Sequence, residues 1–357
     1  MTVDNARPIA AGLVGFGFAG RTFHAPVLSA VPGLELRAVA SSQPEAVQAA
    51  WPDAAVVPDV QTLLREHPEI ELVVVATPND AHFPVAKAAL QAGRHVVVDK
   101  PFVLDAGQAR ELVELAERVG KMVSVYQTRR FDSDFLTLRE VLARGAIGRP
   151  VYFESHFDRF RPDVRVRWRE QPVPGAGVWV DLGAHLLDQA VQLFGMPDTL
   201  QVDMAPQREN ALVEDYFHAM LRYEGGAHAP LRVVLHASML AASPAPRYVL
   251  HGTRGSYVKH GVDPQEDALK AGGRPGGAGW GADPVDGQLA TIDAAGTPHV
   301  ETVPALAGDY TPYYPPVPAA IRGSAPPPVT PEEAVDLMHL LDLGRQSANE
   351  CRALRTT

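Results

Sequence analysis

The chain has 357 residues, enough for two domains, and a net charge of −10 from 42 acidic and 32 basic side chains. The acidic balance and the lack of a basic patch argue against a nucleic-acid partner. The one cysteine, Cys351, excludes an intramolecular disulfide and disfavours a thiolate metal site, so we expect no metal.

Neither residues 1–8 nor any later stretch has the pattern of a signal peptide or the length of a membrane span. We therefore expect a cytoplasmic protein with no membrane partner.

The first third alternates short apolar runs with amphipathic segments, which predicts an α/β domain with a parallel sheet over residues 1–126. The predicted strands are Ile9–Val14, Leu34–Ala40, Leu72–Ala76, His95–Val98 and Met122–Val125. The predicted helices lie near Ala19–Ser29, Pro44–Ala50, Val60–Glu66, Phe83–Gln91 and Ala106–Val119.

After Tyr126 strand-like stretches follow one another with few helices between them, which predicts an α+β domain with a large open, mostly antiparallel sheet over residues 127–357. The predicted strands are Val151–Phe157, Val202–Met204, Tyr216–Tyr223, Leu231–Met239, Tyr248–His251 and Gly255–Lys259. The predicted helices are Asp132–Ala143, Val178–Phe194 and Pro331–Glu350. The last helix is able to pack back on the first domain, and the glycine-rich segment 272–281 is a surface loop unless a ligand orders it.

Three glycines, Gly15, Gly17 and Gly20, stand where the first predicted strand passes into the first predicted helix. In this context the first permits a tight turn, the second lets the backbone approach a pyrophosphate, and the third lets helix and strand pack closely. The helix N-terminus adds N–H groups that favour phosphate. The pattern predicts a Rossmann dinucleotide site, and its residues are Gly15, Phe16, Gly17, Phe18, Ala19 and Gly20.

Two further strand ends border the predicted cofactor, because ligands of such sheets bind beyond the carboxyl ends of the strands. One carries Thr77, Pro78, Asn79 and His82, where Asn79 is also a candidate helix N-cap. The other carries Asp99, Lys100 and Pro101. A lysine there can reach both a nicotinamide and a substrate hydroxyl, although a solvated lysine is an equally good interpretation.

The helix predicted over Val178–Phe194 carries Asp181, His185 and Asp188 on one face, at positions i, i+4 and i+7. Three ionisable groups on an otherwise apolar helix are costly to bury unless they bind something. A polar stripe that faces water is the alternative.

The glycine turn, the Asp99-Lys100-Pro101 segment and the Asp181-x-x-x-His185 helix, in this order, resemble the glucose-fructose oxidoreductase/inositol dehydrogenase (Gfo/Idh/MocA) family. The resemblance covers essentially the whole chain and is greatest to the branch of NADP-dependent scyllo-inositol dehydrogenases. That branch has stretches similar to residues 17–26, 129–136, 167–170, 207–210 and 265–268.

This resemblance implies an oxidoreductase that moves a hydride between a nicotinamide and a cyclic polyol or sugar. It implies that Lys100 and the Asp181/His185 pair meet beside the nicotinamide, with Lys100 holding the hydroxyl and His185 acting as the base. It also implies polyol contacts from Arg129, His156 and Asp188. Relatives pair through the outer face of the second-domain sheet, so we expect a homodimer or homotetramer.

Two positions depart from the family pattern. Asp99 replaces the usual glutamate before the lysine, and Gln127 stands where relatives often carry asparagine. Two other functions stay open. They are an NAD-dependent glycosidase of the same superfamily and a non-catalytic cofactor-binding regulator.

The cofactor preference is predicted from the end of the second strand. NAD-specific folds usually place a carboxylate there for the ribose 2′-hydroxyl, whereas this chain has Ser41, Ser42 and Gln43. The two serines can donate to a 2′-phosphate and Arg21 can add charge. We therefore expect NADP to be preferred, with NAD possible.

Overall fold

The structure is a computed structural model and describes residues 7–357. The strands are β1 Ile9–Val14, β2 Leu34–Ala40, β3 Ala55–Val57, β4 Leu72–Val75, β5 His95–Asp99, β6 Val123–Tyr126, β7 Pro150–His156, β8 Thr199–Ala205, β9 Tyr216–Tyr223, β10 Leu231–Ser238, β11 Tyr248–Gly252, β12 Gly255–Lys259, β13 Gly287–Ile292, β14 Pro298–Val303 and β15 Leu354–Arg355. The α-helices are α1 Ala25–Ser29, α2 Pro44–Ala50, α3 Val60–Glu66, α4 Asn79–Gln91, α5 Ala106–Val119, α6 Ser133–Ala143, α7 Ala184–Phe194, α8 Gln265–Lys270, α9 Pro316–Ile321 and α10 Pro331–Glu350.

These elements form two compact units. Of the described residues, the first contains 7–128 together with 266–278 and 309–338. The second contains residues 129–265, 279–308 and 339–357.

The first unit is built on a six-stranded sheet of order β3-β2-β1-β4-β5-β6, in which every pair is parallel. All residues of β1 and β4 are buried. Runs of apolar, largely β-branched residues such as Leu72–Val75 suit strands that are covered on both faces. The predicted Rossmann-like domain is therefore confirmed, and the short strand β3 was missed.

The later segments of the first unit are bonded to its edge strand β6. The hydroxyl of Ser124 donates to the carbonyl of Val329, 2.9 Å away, and the hydroxyl of Tyr313 donates to Ser124 Oγ, 3.0 Å away. The first unit is thus not contiguous in sequence. The sequence analysis instead assigned all of residues 127–357 to the second domain. Of α10, only the first eight residues, 331–338, belong to the first unit.

The second unit is built on a nine-stranded sheet of order β14-β13-β12-β11-β7-β10-β9-β8-β15. All its pairs are antiparallel except β7 and β10, which run parallel. The predicted mostly antiparallel sheet is confirmed, and β13 and β14 extend it beyond the strands predicted.

One face of this sheet is covered by helices. Phe153 of β7 packs against Phe194 of α7, with ring centroids 5.5 Å apart. Trp179 lies edge-on to Phe217 of β9 and donates its Nε1–H to the carbonyl of Leu341 in α10, 2.9 Å away. A Cβ at Gly344 would lie 2.1 Å from the Trp179 ring, so glycine in α10 makes room for this indole.

A buried arginine joins these helices to the sheet. Arg247 is 2 % exposed and donates to Asp134 of α6 (2.9 Å), to Ser155 of β7 (3.0 Å) and to Gln189 of α7 (3.0 Å). Ser155 therefore points toward the helices. Among residues 7–357, no helix combines the length and apolar character needed to cross a membrane.

The first unit should lose stability in mild acid because of His95. Burial lowers the pKa of His95 to about 4, and its Nδ1 accepts a hydrogen bond from the backbone N–H of Met122, 2.9 Å away. Below about pH 6.5 His95 is protonated in the unfolded chain but stays neutral in the folded protein. The free energy of unfolding therefore falls as pH decreases from 6.5 toward 4. We expect His95 to account for roughly 1 kcal/mol between pH 7.5 and pH 5, after discount for solvent screening.

The measurement is urea unfolding at both pH values for the wild type and for His95→Gln, whose side-chain oxygen can accept the same bond without titrating. The pH difference should shrink in the variant. An unchanged difference would contradict the assignment.

Candidate active site

The turn after β1 has the geometry that its glycines predict. Gly15 has φ of +100°, and a Cβ there would lie 2.5 Å from the carbonyl oxygen of Ala76. A Cβ on Gly20 would lie 2.0 Å from the carbonyl oxygen of Gly15. Around Gly17, in contrast, nothing lies within 4 Å of where a Cβ would be. The turn is therefore tight at its two ends and open at its middle, as a pyrophosphate requires.

The helix predicted after this turn begins with a widened turn, Gly20–His24, and continues as α1. Phe16 is buried at 2 % exposure, whereas Phe18 is 43 % exposed and lies edge-on to Phe23. Ala19 precedes the widened turn. Gly17 and Phe18 therefore form the accessible part of the loop.

The side chain of His82 connects the loop after β4 to the segment after β5. This side chain is fully buried, and its ring nitrogens lie 2.8 Å from the carbonyl oxygen of Pro101 and 3.0 Å from that of Thr77. Burial lowers the pKa of His82, although Asp99 and the two carbonyls oppose this. Any influence of His82 on a cofactor is exerted through these two carbonyls.

The start of α4 differs in one detail from the sequence interpretation. Pro78 occupies the N-cap position and Asn79 is the first helical residue, buried at 6 % exposure. A helix capped by Asn79 would begin at residue 80. Because α4 already begins at Asn79, this residue is not the N-cap.

Two buried polar groups stand at the carboxyl ends of β4 and β6. Thr77 Oγ1 and both amide atoms of Gln127 have no hydrogen-bond partner among residues 7–357. Buried polar atoms normally find partners, and both residues follow parallel strands whose carboxyl ends meet at one edge of the sheet. These atoms fit the ribose and carboxamide groups of a dinucleotide.

Asp99 ends β5 at the same edge and Lys100 follows it, and the Lys100–Pro101 peptide bond is cis. Asp99 Oδ1 accepts the backbone N–H of Lys100 at 2.8 Å and lies 3.7 Å from Nε2 of His24. Burial raises the pKa of Asp99, but the bond and charge of His24, with Lys100, outweigh it and lower the pKa. The Asp99 carboxylate thus interacts with the Lys100 backbone and with His24, both of which belong to the first unit.

His24 was not singled out from the sequence. It is fully buried, its Nδ1 lies 2.9 Å from the hydroxyl of Tyr314, and its ring lies 4.2 Å from that of Tyr126. Its partners come from distant parts of the chain, so no local pattern marks it. In the sequence it is noticeable only as a member of the stretch 17–26.

The end of β2 carries no carboxylate. Ser41 is half-buried and its Oγ accepts the backbone N–H of Gln43 at 3.0 Å, while Ser42 and Arg21 are exposed. All predicted cofactor residues lie in the first unit.

In the second unit, Asp181 lies in a widened helical turn, Trp179–Gly183, that leads into α7. Such widened turns are frequent at functional sites. The Asp181 carboxylate is 26 % exposed and lies 3.6 Å from Nε of Arg169. His185 follows on α7 and is 5 % exposed.

Arg129 and Asp188 are placed by buried ion pairs. Arg129 donates to Asp132 at 3.1 Å and lies over the Phe157 ring. Asp188 accepts two hydrogen bonds from Arg130, at 2.9 and 2.6 Å. Gln189, one residue beyond Asp188 on α7, donates to the carbonyl of Arg129 at 2.8 Å. The sequence analysis assigned no role to Arg130, which holds Asp188 in place.

His156 does not join this group. Successive residues of a strand point to opposite faces, and its neighbours Ser155 and Phe157 contact Arg247 on the helix side. His156 instead bonds Glu154 on the other face, with Nε2 3.0 Å from Oε2. The sequence-based prediction that His156 contacts substrate therefore gains no support from this position.

The segment 272–281 lacks helix and strand, and its residues 272–279 are mainly exposed. At its end Trp280 donates to Gln265 at 3.1 Å. The loop prediction agrees with this arrangement.

Comparison with protein-family models assigns both parts of the chain. The model described as "Oxidoreductase family, NAD-binding Rossmann fold" matches residues 9–127, and "Oxidoreductase family, C-terminal alpha/beta domain" matches residues 139–355. The chain belongs to the Gfo/Idh/MocA family. It is an NAD(P)-binding oxidoreductase, as the resemblance implied.

Relatives match over almost the whole length. The chain is 50 % identical over 346 residues to the oxidoreductase YdgJ of Escherichia coli, covering 97 % of each chain. It is 36 % identical over 348 residues to the scyllo-inositol 2-dehydrogenase (NADP⁺) IolW of Bacillus subtilis, covering 97 % of this chain and 95 % of IolW. Among solved structures, an oxidoreductase from Yersinia pestis aligns with a TM-score of 0.92 at 50 % identity, covering 98 % and 97 % of the two chains.

The glycine turn allows a matched pair of substitutions. Gly17→Ala adds a methyl group to open space, so stability should change by less than about 0.5 kcal/mol, while dinucleotide affinity should fall at least about tenfold because the backbone can no longer approach the pyrophosphate. Gly20→Ala forces a Cβ against the backbone of Gly15 and should cost about 2 kcal/mol or more of stability.

Thermal unfolding without cofactor and fluorescence titration with NADPH separate the two effects. Equal behaviour of the two variants in both measurements would show that the glycines do not have separate tasks.

Proposed function

We propose that this protein is a dehydrogenase that prefers NADP and oxidises a hydroxyl of a cyclic polyol, with scyllo-inositol as the first candidate. The observation that carries the proposal is the position of Lys100. It directly follows β5, a neighbour of β4 in a parallel sheet, at the edge where the glycine turn and Thr77 also lie. A cationic amine at this edge suits chemistry on a hydroxyl next to a nicotinamide.

The residues that hold the cofactor in this proposal are the glycine turn, Thr77, Asn79 and Gln127. When bound, the nicotinamide takes up or returns a hydride. Lys100 holds the reacting hydroxyl and favours its ionised form through its charge. The backbone bond from Lys100 to Asp99, and His24 behind Asp99, fix the direction in which this lysine leaves the strand.

His185 is the proposed general base at the hydroxyl, and it returns the proton in the reverse direction. Imidazole suits a reversible reaction because it ordinarily titrates near neutrality. Asp181 orients His185 or balances its charge. Oxidation should therefore become faster as pH rises through the range in which the base loses its proton.

The preference for NADP rests on the end of β2. No carboxylate follows that strand to bind a ribose 2′-hydroxyl, whereas Ser42 and Arg21 are exposed and able to contact a 2′-phosphate. The name of IolW, an NADP⁺ enzyme, supports the same choice.

The substrate class rests on the polar character of the proposed residues. In this proposal Lys100, Asp181 and His185 supply donors and acceptors, and Arg129 and Asp188, paired with Asp132 and Arg130, add polar rather than apolar surroundings. Such groups favour a polyhydroxylated ring and penalise analogues that leave them unpaired. The name of IolW supports scyllo-inositol as the first member of the class to test.

A substrate and cofactor panel tests this function. Inositol isomers, aldoses and simple aliphatic alcohols are assayed with NADP⁺ and with NAD⁺, following reduced nicotinamide. We expect the highest kcat/KM for scyllo-inositol with NADP⁺. Equal or higher kcat/KM with NAD⁺ would contradict the cofactor assignment, and faster turnover of aliphatic alcohols would contradict the polyol.

The same panel decides between the alternative functions. Cleavage of glycosides with tightly held cofactor and no net reduction would indicate a glycosidase. Cofactor binding without turnover of any compound would indicate a regulator.

The catalytic roles are tested with His185→Asn and Lys100→Met. General acid–base assistance contributes about 10²–10⁴-fold, or roughly 3–5 kcal/mol of barrier, so each variant should lose kcat in that range and keep its NADP affinity. The double variant should lose less than the product of the two factors, since both residues serve one proton transfer. Steady-state kinetics and fluorescence titration give these values.

Two matched controls accompany them. Gln192→Ala changes an exposed residue of α7, the helix that carries His185. Lys87→Met makes the same substitution at a lysine of α4, which forms an ion pair with Glu111. Both should retain wild-type kcat. A His185→Asn enzyme that also retains it would assign the base to another residue.

A further inference from the structure

A second cluster of ionisable side chains lies on the sheet of the second unit. It consists of His156 at the end of β7, Asp158 two residues later, and His236 on β10, and we name it the histidine–aspartate cluster. β7 and β10 are parallel neighbours, and His156 is paired with His236 in their register. The cluster lies on the face opposite to Ser155 and Phe157, and so opposite to the helices.

The donor atoms of the cluster lie close together. Nδ1 of His236 is 2.8 Å from Oδ1 of Asp158, and Nδ1 of His156 is 3.6 Å from Oδ2 of the same carboxylate. One donor atom from each of the three residues falls within 4.8 Å of the others. Ligands at 2.0–2.2 Å from a tetrahedral Zn²⁺ are about 3.4 Å apart. Small side-chain rotations therefore suffice to bring all three donors onto one ion.

His156 has the orientation of a metal-ligating histidine. Its Nε2 lies 3.0 Å from Oε2 of Glu154, and Glu154 also accepts a hydrogen bond from the hydroxyl of Tyr152. Its Nδ1 is buried and has no hydrogen-bond partner among residues 7–357. Histidines that bind metals commonly donate their second N–H to a carboxylate, which fixes the tautomer. Here that bond leaves the lone pair of Nδ1 directed into the cluster.

The charges of the site favour a cation. The side chains of His156, Asp158 and His236 are only 13 %, 5 % and 19 % exposed. The carboxylate of Asp158 lies against His236, and that of Glu154 lies against His156. Two carboxylates thus face the two imidazoles.

The types of donor atom in the cluster indicate which kind of cation it suits. Hard cations such as Ca²⁺ and Mg²⁺ prefer oxygen ligands, whereas two imidazoles and a carboxylate suit Zn²⁺ and similar ions.

We propose that His156, Asp158 and His236 bind one divalent transition-metal ion of the Zn²⁺ type, with Glu154 as the carboxylate that orients His156. Three protein ligands leave one position for water. The ion ties the end of β7 to β10. This inference is independent of the proposed dehydrogenase function, because none of these residues acts in that reaction.

The test uses tag-free full-length protein, treated with a chelator and then dialysed. Calorimetric titration with ZnCl₂ should show one ion bound per chain, and Co²⁺ in its place should give the visible absorption of a four-coordinate site. His236→Ala and Asp158→Asn should each weaken Zn²⁺ binding at least about tenfold. Glu154→Gln should weaken it by about 10–100-fold, as removal of a carboxylate behind a ligand does.

His218→Ala is the matched control. His218 stands on β9, opposite His236 in the register and with ring centroids 6.0 Å apart, but it is outside the cluster. This variant should bind Zn²⁺ as the wild type does, and Zn²⁺ should raise the melting temperature of both but not of His236→Ala. Wild-type protein without stoichiometric binding, or ligand variants that bind as tightly as wild type, would overturn the proposal. Far-UV circular dichroism of the metal-free variants verifies that each is folded.

Discussion

The guanidinium of Arg247 is the group on which the second unit depends. It is buried and holds Asp134, Ser155 and Gln189 by charged hydrogen bonds, so it ties α6, β7 and α7 together. Loss of one partner of a buried ion pair typically costs about 3–5 kcal/mol. Because Ser155 is held toward the helices, the alternation of β7 sends His156 to the opposite face. The same interaction thus decides which side chains lie beside α7 and which form the histidine–aspartate cluster.

Local sequence patterns predicted most of the first unit. The apolar runs Ile9–Val14 and Leu34–Ala40 have the bounds of β1 and β2, since short buried strands bounded by turns leave a clear pattern. Strand β14 was not predicted because five of its six residues are exposed and give no apolar signal. The return of residues 309–330 to the first unit was not predicted either, whereas the last predicted helix was already expected to be able to pack back on it. This return rests on contacts such as that between Ser124 and Val329, 205 residues apart in sequence.

The same distinction applies to the site. Gly15 and Gly20 were assigned correctly as the close-packed positions because their task is local to one turn. His24 and Arg130 were missed because the partner of each lies far along the chain. His24 contacts Tyr314, and Arg130 bonds Asp188. The face on which His156 lies was not anticipated, for a related reason. A resemblance transfers a residue type, whereas the face on which the side chain lies depends on strand alternation and on the buried partner of its neighbour.

The room that Gly344 leaves for Trp179 gives this protein an internal optical probe. Of its four tryptophans, Trp179 is fully buried, whereas Trp51, Trp168 and Trp280 are partly exposed. Trp179 stands two residues before Asp181, in the same widened turn. We expect its emission to lie at shorter wavelength than that of the three partly exposed tryptophans. A red shift of this component would report local loosening of the turn that carries Asp181, and so distinguish it from loss of a single functional group.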